Sequence, residues 1–66
     1  MPASSSTQAA LTVITDRVER YRDEVTHLAE ALTVEQHADL ISAIYEAERA
    51  LGSAARSLRR ASRIAG

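Results

Sequence analysis

The chain has 66 residues, no cysteine, no Phe or Trp, and two Tyr. A chain of this length allows one small domain that buries only about 60% of the surface its unfolded form exposes, and the absence of cysteine excludes disulfide bonds and thiolate metal sites. The core must be built from Leu, Ile, Val and Ala, so oligomerisation is the remaining way to stabilise the domain.

The net charge of −1 is the sum of acidic and basic segments that are separated along the chain. Residues 1–34 carry three arginines against five carboxylates, a net of −2. Residues 35–48 carry four carboxylates and no base, and residues 49–66 carry five arginines and no acid, which gives −4 and +5. All eight basic residues are arginine, which together with the high Ala content favours a GC-rich bacterial genome as the source.

No stretch of about 18 residues is apolar enough to predict a transmembrane helix. The first residues also lack the charged segment and the apolar core of a signal peptide. We therefore expect a cytoplasmic protein that makes no contact with a membrane.

The first helix is predicted from a capping signal and an apolar stripe. Residues 1–5 hold nothing apolar that would anchor them, and we expect a disordered tail there. Ser5 and Gln8 have the spacing of a capping box, which predicts a helix over about residues 6–32. Its apolar residues recur at alternating intervals of three and four, a narrow stripe that suits one neighbouring helix. They are Leu11, Ile14, Val18, Tyr21, Val25, Leu28 and Leu32.

The chain is predicted to reverse near Thr33. Continuing the first stripe past Leu32 brings only polar residues into it, whereas a second apolar stripe begins two positions away. Thr33 and Gln36 supply a second capping box, and a short connection favours antiparallel neighbours. The predicted fold class is therefore all-α, an antiparallel helical hairpin over residues 6–66.

The second predicted helix, about residues 34–64, has the broader apolar pattern. Large residues occupy one heptad position and alanines the other. A hairpin folded about residues 32–33 would place Tyr21 opposite Ile44 and Ile14 opposite Leu51, and the turns after about Leu58 would extend beyond the first helix. Because the apolar pattern stays in phase through Gly52, it favours one continuous helix that can bend at this glycine. The alternative is a break at Gly52 that starts a third helix.

One helix cannot cover so broad an apolar surface, so a second copy is expected to complete a homodimeric four-helix bundle. A partner helix from another protein is the alternative, and the sequence leaves open whether the helices pair within one chain or swap between chains. The candidate oligomer interface has ten residues: Ile41, Ala43, Ala47, Ala50, Leu51, Ala54, Ser57, Leu58, Ala61 and Ile64.

Four arginines near the end of the chain, Arg56, Arg59, Arg60 and Arg63, form an arginine cluster. Cations near a helix C-terminus are stabilised by the helix dipole, and the cluster also suits an acidic partner segment. Alternatively, it would bind nucleic acid through phosphates, as in a small antitoxin-like regulator. No recognition motif or stacking aromatic accompanies the cluster, so the first interpretation is favoured.

The sequence offers no convincing catalytic or metal-binding pattern. Glu24 and His27 have the spacing of carboxylate-bridged metal sites in helical bundles, but they lie outside the apolar stripe and occur only once. No third group orients a base, and no glycine-rich phosphate loop exists. We predict a non-enzymatic protein with no catalytic residue, cofactor or metal, which acts as an interaction and oligomerisation module.

Overall fold

A computed structural model describes the backbone of residues 2–66 and the side chains of residues 5–66. Two helices, α1 (Pro2–Glu30) and α2 (Val34–Ala65), pack against each other, and the described residues contain no strand. The predicted all-α helical hairpin is therefore confirmed. The predicted disordered tail falls mainly on residues whose side chains lie outside the described range, and Ser5, the predicted cap, lies inside α1.

The reversal of the chain takes more residues than a tight turn at Thr33 would need. Thr33 has an extended backbone, with φ −89° and ψ 134°, and His37 is again non-helical, with φ −134° and ψ 29°. The hydroxyl of Thr33 donates to the side-chain oxygen of Gln36 at 3.4 Å and caps no backbone N–H. The predicted second capping box is therefore wrong, and α2 kinks at His37 rather than at Gly52.

This longer reversal changes which residues lie opposite one another. Arg22 contacts Glu48 with 2.9 Å between Nε and Oε2, and the hydroxyls of Thr12 and Ser62 lie 3.4 Å apart. The predicted pairs, such as Tyr21 with Ile44, are therefore wrong, because the residue opposite lies at least one helical turn further along α2. The end of α2 lies beside α1 and does not extend beyond it.

The hairpin is long and thin. Its Cα atoms extend over 54 × 14 × 10 Å with a radius of gyration of 15.5 Å, whereas a compact chain of this length would have about 11 Å. The accessible surface of 4967 Å² likewise exceeds the roughly 4,100 Å² typical of a globular monomer of this mass. Two helices side by side shield little of one another.

Candidate interaction surface

The surface between the two helices, the interhelix face, is built mainly from small and polar residues. On α1, Thr15, Arg22 and Ala29 follow one another at intervals of seven. Thr15 and Ala29 are only 4% and 3% exposed, and Ala55 of α2 is fully buried. Small side chains in both helices let the two backbones approach closely. No large side chain is fully buried among the described residues.

An ion pair crosses the middle of the interhelix face. Nε of Arg22 donates to Oε2 of Glu48 at 2.9 Å, and the two side chains remain 40% and 21% exposed. Gly52 is buried beside them, and a Cβ atom added to it would lie 3.0 Å from Cζ of Arg22. Gly52 has no positive φ, so it is a helical residue that leaves room for the guanidinium group. A heptad pattern of large apolar residues did not predict this polar contact.

A second ion pair fixes which residues share each side of the hairpin. Arg59 of α2 donates to Glu19 of α1 beside the interhelix face. On α1, Glu19 and Tyr21 flank Arg22 on opposite sides, because helical residues are about 100° apart. On α2, Arg59 and Ala54 flank Ala55 in the same way. Tyr21 and Ala54 therefore lie together on the side away from this ion pair.

This side carries the larger apolar residues, and we call it the free apolar face. On α1 the outer residues of this face are Ile14, Tyr21 and Leu28, which are 43%, 60% and 62% exposed. Leu40, at 48% exposure, and the alanines at intervals of seven after it continue the face on α2. Those alanines are Ala47, Ala54 and Ala61.

Half-buried side chains form the floor of the free apolar face, between its two outer rows. They are Leu11, Val18, Val25, Ile44, Leu51 and Leu58. The heptad pattern predicts that the entire apolar stripe of α1 packs against α2 within the hairpin. That expectation is wrong for Ile14, Tyr21 and Leu28, because α1 is rotated so that Thr15, Arg22 and Ala29 face α2 instead.

The ten predicted interface residues separate into three groups. Ile41 is half-buried and shares a heptad row with Glu48 and Ala55, so it belongs to the interhelix face. Leu51, Leu58 and Ala61 are half-buried at the free apolar face. The remaining six are exposed: Ala43, Ala47, Ala50, Ala54, Ser57 and Ile64. They continue the apolar surface around the outer side of α2.

The arginine cluster is partly engaged within the chain. Arg59 binds Glu19, and Arg56 donates to the hydroxyl of Ser53 at 3.3 Å. Arg60 and Arg63 are exposed. A shallow groove of 310 Å³ runs along this side of the hairpin. Its lining is Thr12, Thr15, Asp16, Glu19, Arg59, Ser62 and Arg63.

Two other kinds of feature are absent from the described residues. Their side chains include no group of three or more His, Cys, Asp or Glu placed to hold a metal ion. Neither described helix combines the length and apolarity needed to cross a membrane. Comparisons with protein-family models, with curated proteins and with solved structures found no match. A functional interpretation therefore depends on the surfaces of the hairpin.

Proposed function

We propose that the protein is a non-enzymatic interaction module that binds through its free apolar face and self-associates into a homodimeric four-helix bundle. The observation that carries this proposal is the exposure of four large apolar side chains on one side of the hairpin, those of Ile14, Tyr21, Leu28 and Leu40. Tyr21 and Leu28 are 60% and 62% exposed, while the most deeply buried residues are small. Contiguous exposed apolar surface of this kind marks interaction sites.

The size of the surface also supports self-association. The hairpin exposes roughly 800 Å² more than a globular monomer of its mass, which is about the area that each partner contributes to a standard protein interface. A second copy laid on the free apolar face would give Val18, Val25 and Leu51 the second layer that they lack. Small residues beside them, such as Ala47 and Ala54, allow close helix packing. Cytoplasmic residence is part of the same proposal.

Sedimentation velocity and circular dichroism over a dilution series test this function. We expect a dimer at micromolar concentration, and helical content that falls on dilution because a lone hairpin of this size is marginal. Ala54→Glu, which introduces a charge into the free apolar face, should abolish the dimer. Ser42→Glu adds the same charge to an exposed position on the other side of α2 and is the matched control.

A monomer that stays fully helical at all concentrations contradicts the proposal. So does an Ala54→Glu variant with the mass and helical content of the wild type, since the binding surface would then be elsewhere. If both substitutions disrupt the dimer equally, the disruption comes from added negative charge on α2 and not from loss of the apolar contact. The assigned face is then wrong.

Nucleic-acid binding by the arginine cluster is the alternative function, and it has less support because Arg59 and Arg56 already have partners within the chain. A gel-shift series at increasing salt would test it with wild type and an Arg60→Ala/Arg63→Ala variant. Binding through phosphates requires a shift at low salt that weakens as salt rises and is smaller for the variant.

A further inference from the structure

The two ends of the hairpin carry opposite charge. The contact between Arg22 and Glu48 divides the hairpin into a turn half, residues 22–48, and an open half that comprises the rest. The turn half holds one arginine and seven carboxylates, a net of −6. The open half holds seven arginines and two carboxylates, a net of +5, and the two halves account for the whole net charge of −1.

The same division appears at the edge of α2 that borders its apolar surface. Asp39, Glu46, Ser53 and Arg60 follow one another at intervals of seven and are all exposed. Residues four apart are neighbours on a helix, so this row lies beside the small or apolar residues on the outer side of α2. Those residues are Ala43, Ala50, Ser57 and Ile64. The row is acidic towards the turn and basic towards the open end, with its midpoint near residue 50.

The outer edge of α1 has a similar pattern. Arg17 and Glu24 are exposed, seven residues apart, and flank Tyr21 on the side away from α2. Their midpoint lies between residues 20 and 21. Because Arg22 contacts Glu48, this midpoint is level with the part of α2 near residue 50. The charge patterns of both helices therefore reverse at the same level of the hairpin.

Two symmetric arrangements can bury the free apolar face against a second copy. In a parallel dimer the two-fold axis runs along the helices, the two turns lie at the same end, and α1 of each copy covers α2 of the other. In an antiparallel dimer the axis is perpendicular to the helices, the turns lie at opposite ends, and each helix covers its own counterpart. The charges distinguish the two arrangements.

The parallel arrangement places like charges together. Both turn halves, each with a net of −6, would be side by side. Glu24 of one copy would lie within about one helical turn of the level of Glu46 of the second copy, since the guanidinium of Arg22 lies beside Glu48 and Gly52 within each hairpin. Like charges that face each other across an interface oppose association.

We propose that the free apolar face joins two copies in the antiparallel arrangement, with the turn half of each copy on the open half of the other. This inference rests on the proposed homodimer. Asp39 is then level with Arg60 of the second copy, and Arg17 is level with Glu24 of the second copy. Each of these opposite-charge pairs forms twice because of the two-fold symmetry.

The small residues of α2 fit the same symmetry. Ala43, Ala50 and Ser57 are spaced by seven, and the two-fold axis near Ala50 superposes Ala43 of one copy on Ser57 of the other. No large side chain lies in this row between Ala43 and Ser57, so the two α2 helices can approach closely near the axis. The four charged pairs at the edges then fix the orientation and register of the bundle.

Pulsed electron–electron double resonance, which measures distances between spin labels, tests the orientation. The chain has no native cysteine, so a single introduced cysteine carries the only label. Val34→Cys carries the label at the turn. Antiparallel copies place these two labels about 45–50 Å apart, from about 1.5 Å of rise per residue on each side of the axis. Ser53→Cys places the label near the middle of α2, and its two copies lie within about 30 Å in either arrangement.

A short distance at both positions overturns the antiparallel inference and leaves the dimer intact. The absence of any interchain distance for Ser53→Cys means that no dimer forms, and the proposed function itself then fails. A long distance for Val34→Cys together with a short one for Ser53→Cys supports the inference.

Charge reversal provides a second test through sedimentation of single variants and of their mixture. Asp39→Arg and Arg60→Glu each create two like-charge pairs in an antiparallel homodimer, and we expect the dissociation constant of each to rise about tenfold at low salt. An equimolar mixture restores both opposite-charge pairs, so the heterodimer should bind about as tightly as the wild type.

Changes in the stability of each individual chain cannot produce this recovery, because the chains keep their own substitutions in the mixture. A mixture that associates no better than the separate variants overturns the inference. Equal dissociation constants for both variants and the wild type at low salt also overturn it.

Discussion

The interhelix face and the free apolar face of this hairpin have opposite characters. The interhelix face holds Thr15, Ala29 and Ala55, all nearly or fully buried, and an ion pair at its centre. The free apolar face holds longer side chains, and its outer residues, such as Leu28, are about half exposed or more. The chain thus places its most deeply buried small residues where its own helices meet and leaves its larger apolar residues half-buried or exposed on one side.

This difference indicates how stability is distributed. Burying an apolar side chain contributes about 25 cal/mol per Å² removed from water, so alanines and a threonine inside the hairpin contribute little. Most of the remaining apolar area becomes buried only when a second surface covers the free apolar face. The hairpin and its assembly are therefore expected to be coupled, with the association step supplying much of the folding free energy.

The largest effect is expected from overpacking the interhelix face. Ala55→Leu inserts a larger side chain at a fully buried position, which should force the helices apart and lower the free energy of unfolding by about 3 kcal/mol. Urea unfolding followed by circular dichroism at one protein concentration measures the loss. Ser53→Leu adds the same side chain at an exposed position of the same helix and should change the stability little.

An Ala55→Leu variant as stable as Ser53→Leu would contradict the assignment of Ala55 to the interhelix face. Gly52→Ala provides a graded version of the same test. The added Cβ would lie 3.0 Å from Cζ of Arg22, so displacement of the guanidinium should offset much of the roughly 1 kcal/mol that alanine gains over glycine within a helix.

The next largest effect is expected from the polar centre of the interhelix face. Arg22→Ala leaves the carboxylate of Glu48, only 21% exposed, without its partner, and should cost about 2 kcal/mol of unfolding free energy. Replacing both residues, as in Arg22→Met/Glu48→Leu, should recover most of this loss, because no charge then remains desolvated.

A double-mutant cycle of Arg22 and Glu48 in urea unfolding measures the coupling between them. If the double variant loses as much unfolding free energy as the two single variants together, the two side chains do not interact. A double variant that loses the dimer would instead show that the ion pair is needed to set the helix register, a role known for some buried polar groups.

A smaller effect is expected from trimming the free apolar face. Leu28→Ala should raise the dissociation constant of the proposed dimer about tenfold, or about 1.4 kcal/mol, because in that dimer the leucine would be buried by the second copy. Val34→Ala is the matched control, since Val34 is 65% exposed against 62% for Leu28 but lies at the turn. Sedimentation equilibrium compares the two. Equal effects would contradict the assigned location of the binding surface.

The smallest effect is expected from the ion pair on the opposite side. Arg59 and Glu19 are 46% and 47% exposed, and exposed pairs contribute only about 0–1 kcal/mol. Arg59→Ala should therefore lower the thermal midpoint slightly, and the difference from wild type should shrink in high salt. A loss as large as that of Arg22→Ala would mean that the side assigned as solvent-exposed is in fact covered.

Much of the fold was predictable from the pattern of the sequence. Two heptad stripes that are out of phase with each other required a reversal near Thr33, and the structure places α1 and α2 on either side of it. Helical periodicity fixes which residues share one side of each helix. It does not determine which of two adjacent rows faces the neighbouring helix. The row with Tyr21 was predicted to be inside the hairpin, and the row with Arg22 is there.

The helices, the reversal and the opposite charges of the two ends could be predicted from the sequence alone, because each of these follows from local order along the chain. The rotation and register of the helices depend instead on tertiary packing. Non-helical backbone at Thr33 and again at His37 shifts the residues that lie opposite one another, and the space beside Gly52 admits Arg22. Close approach of small residues then turned the larger apolar side chains outward, where the proposed second copy would bind.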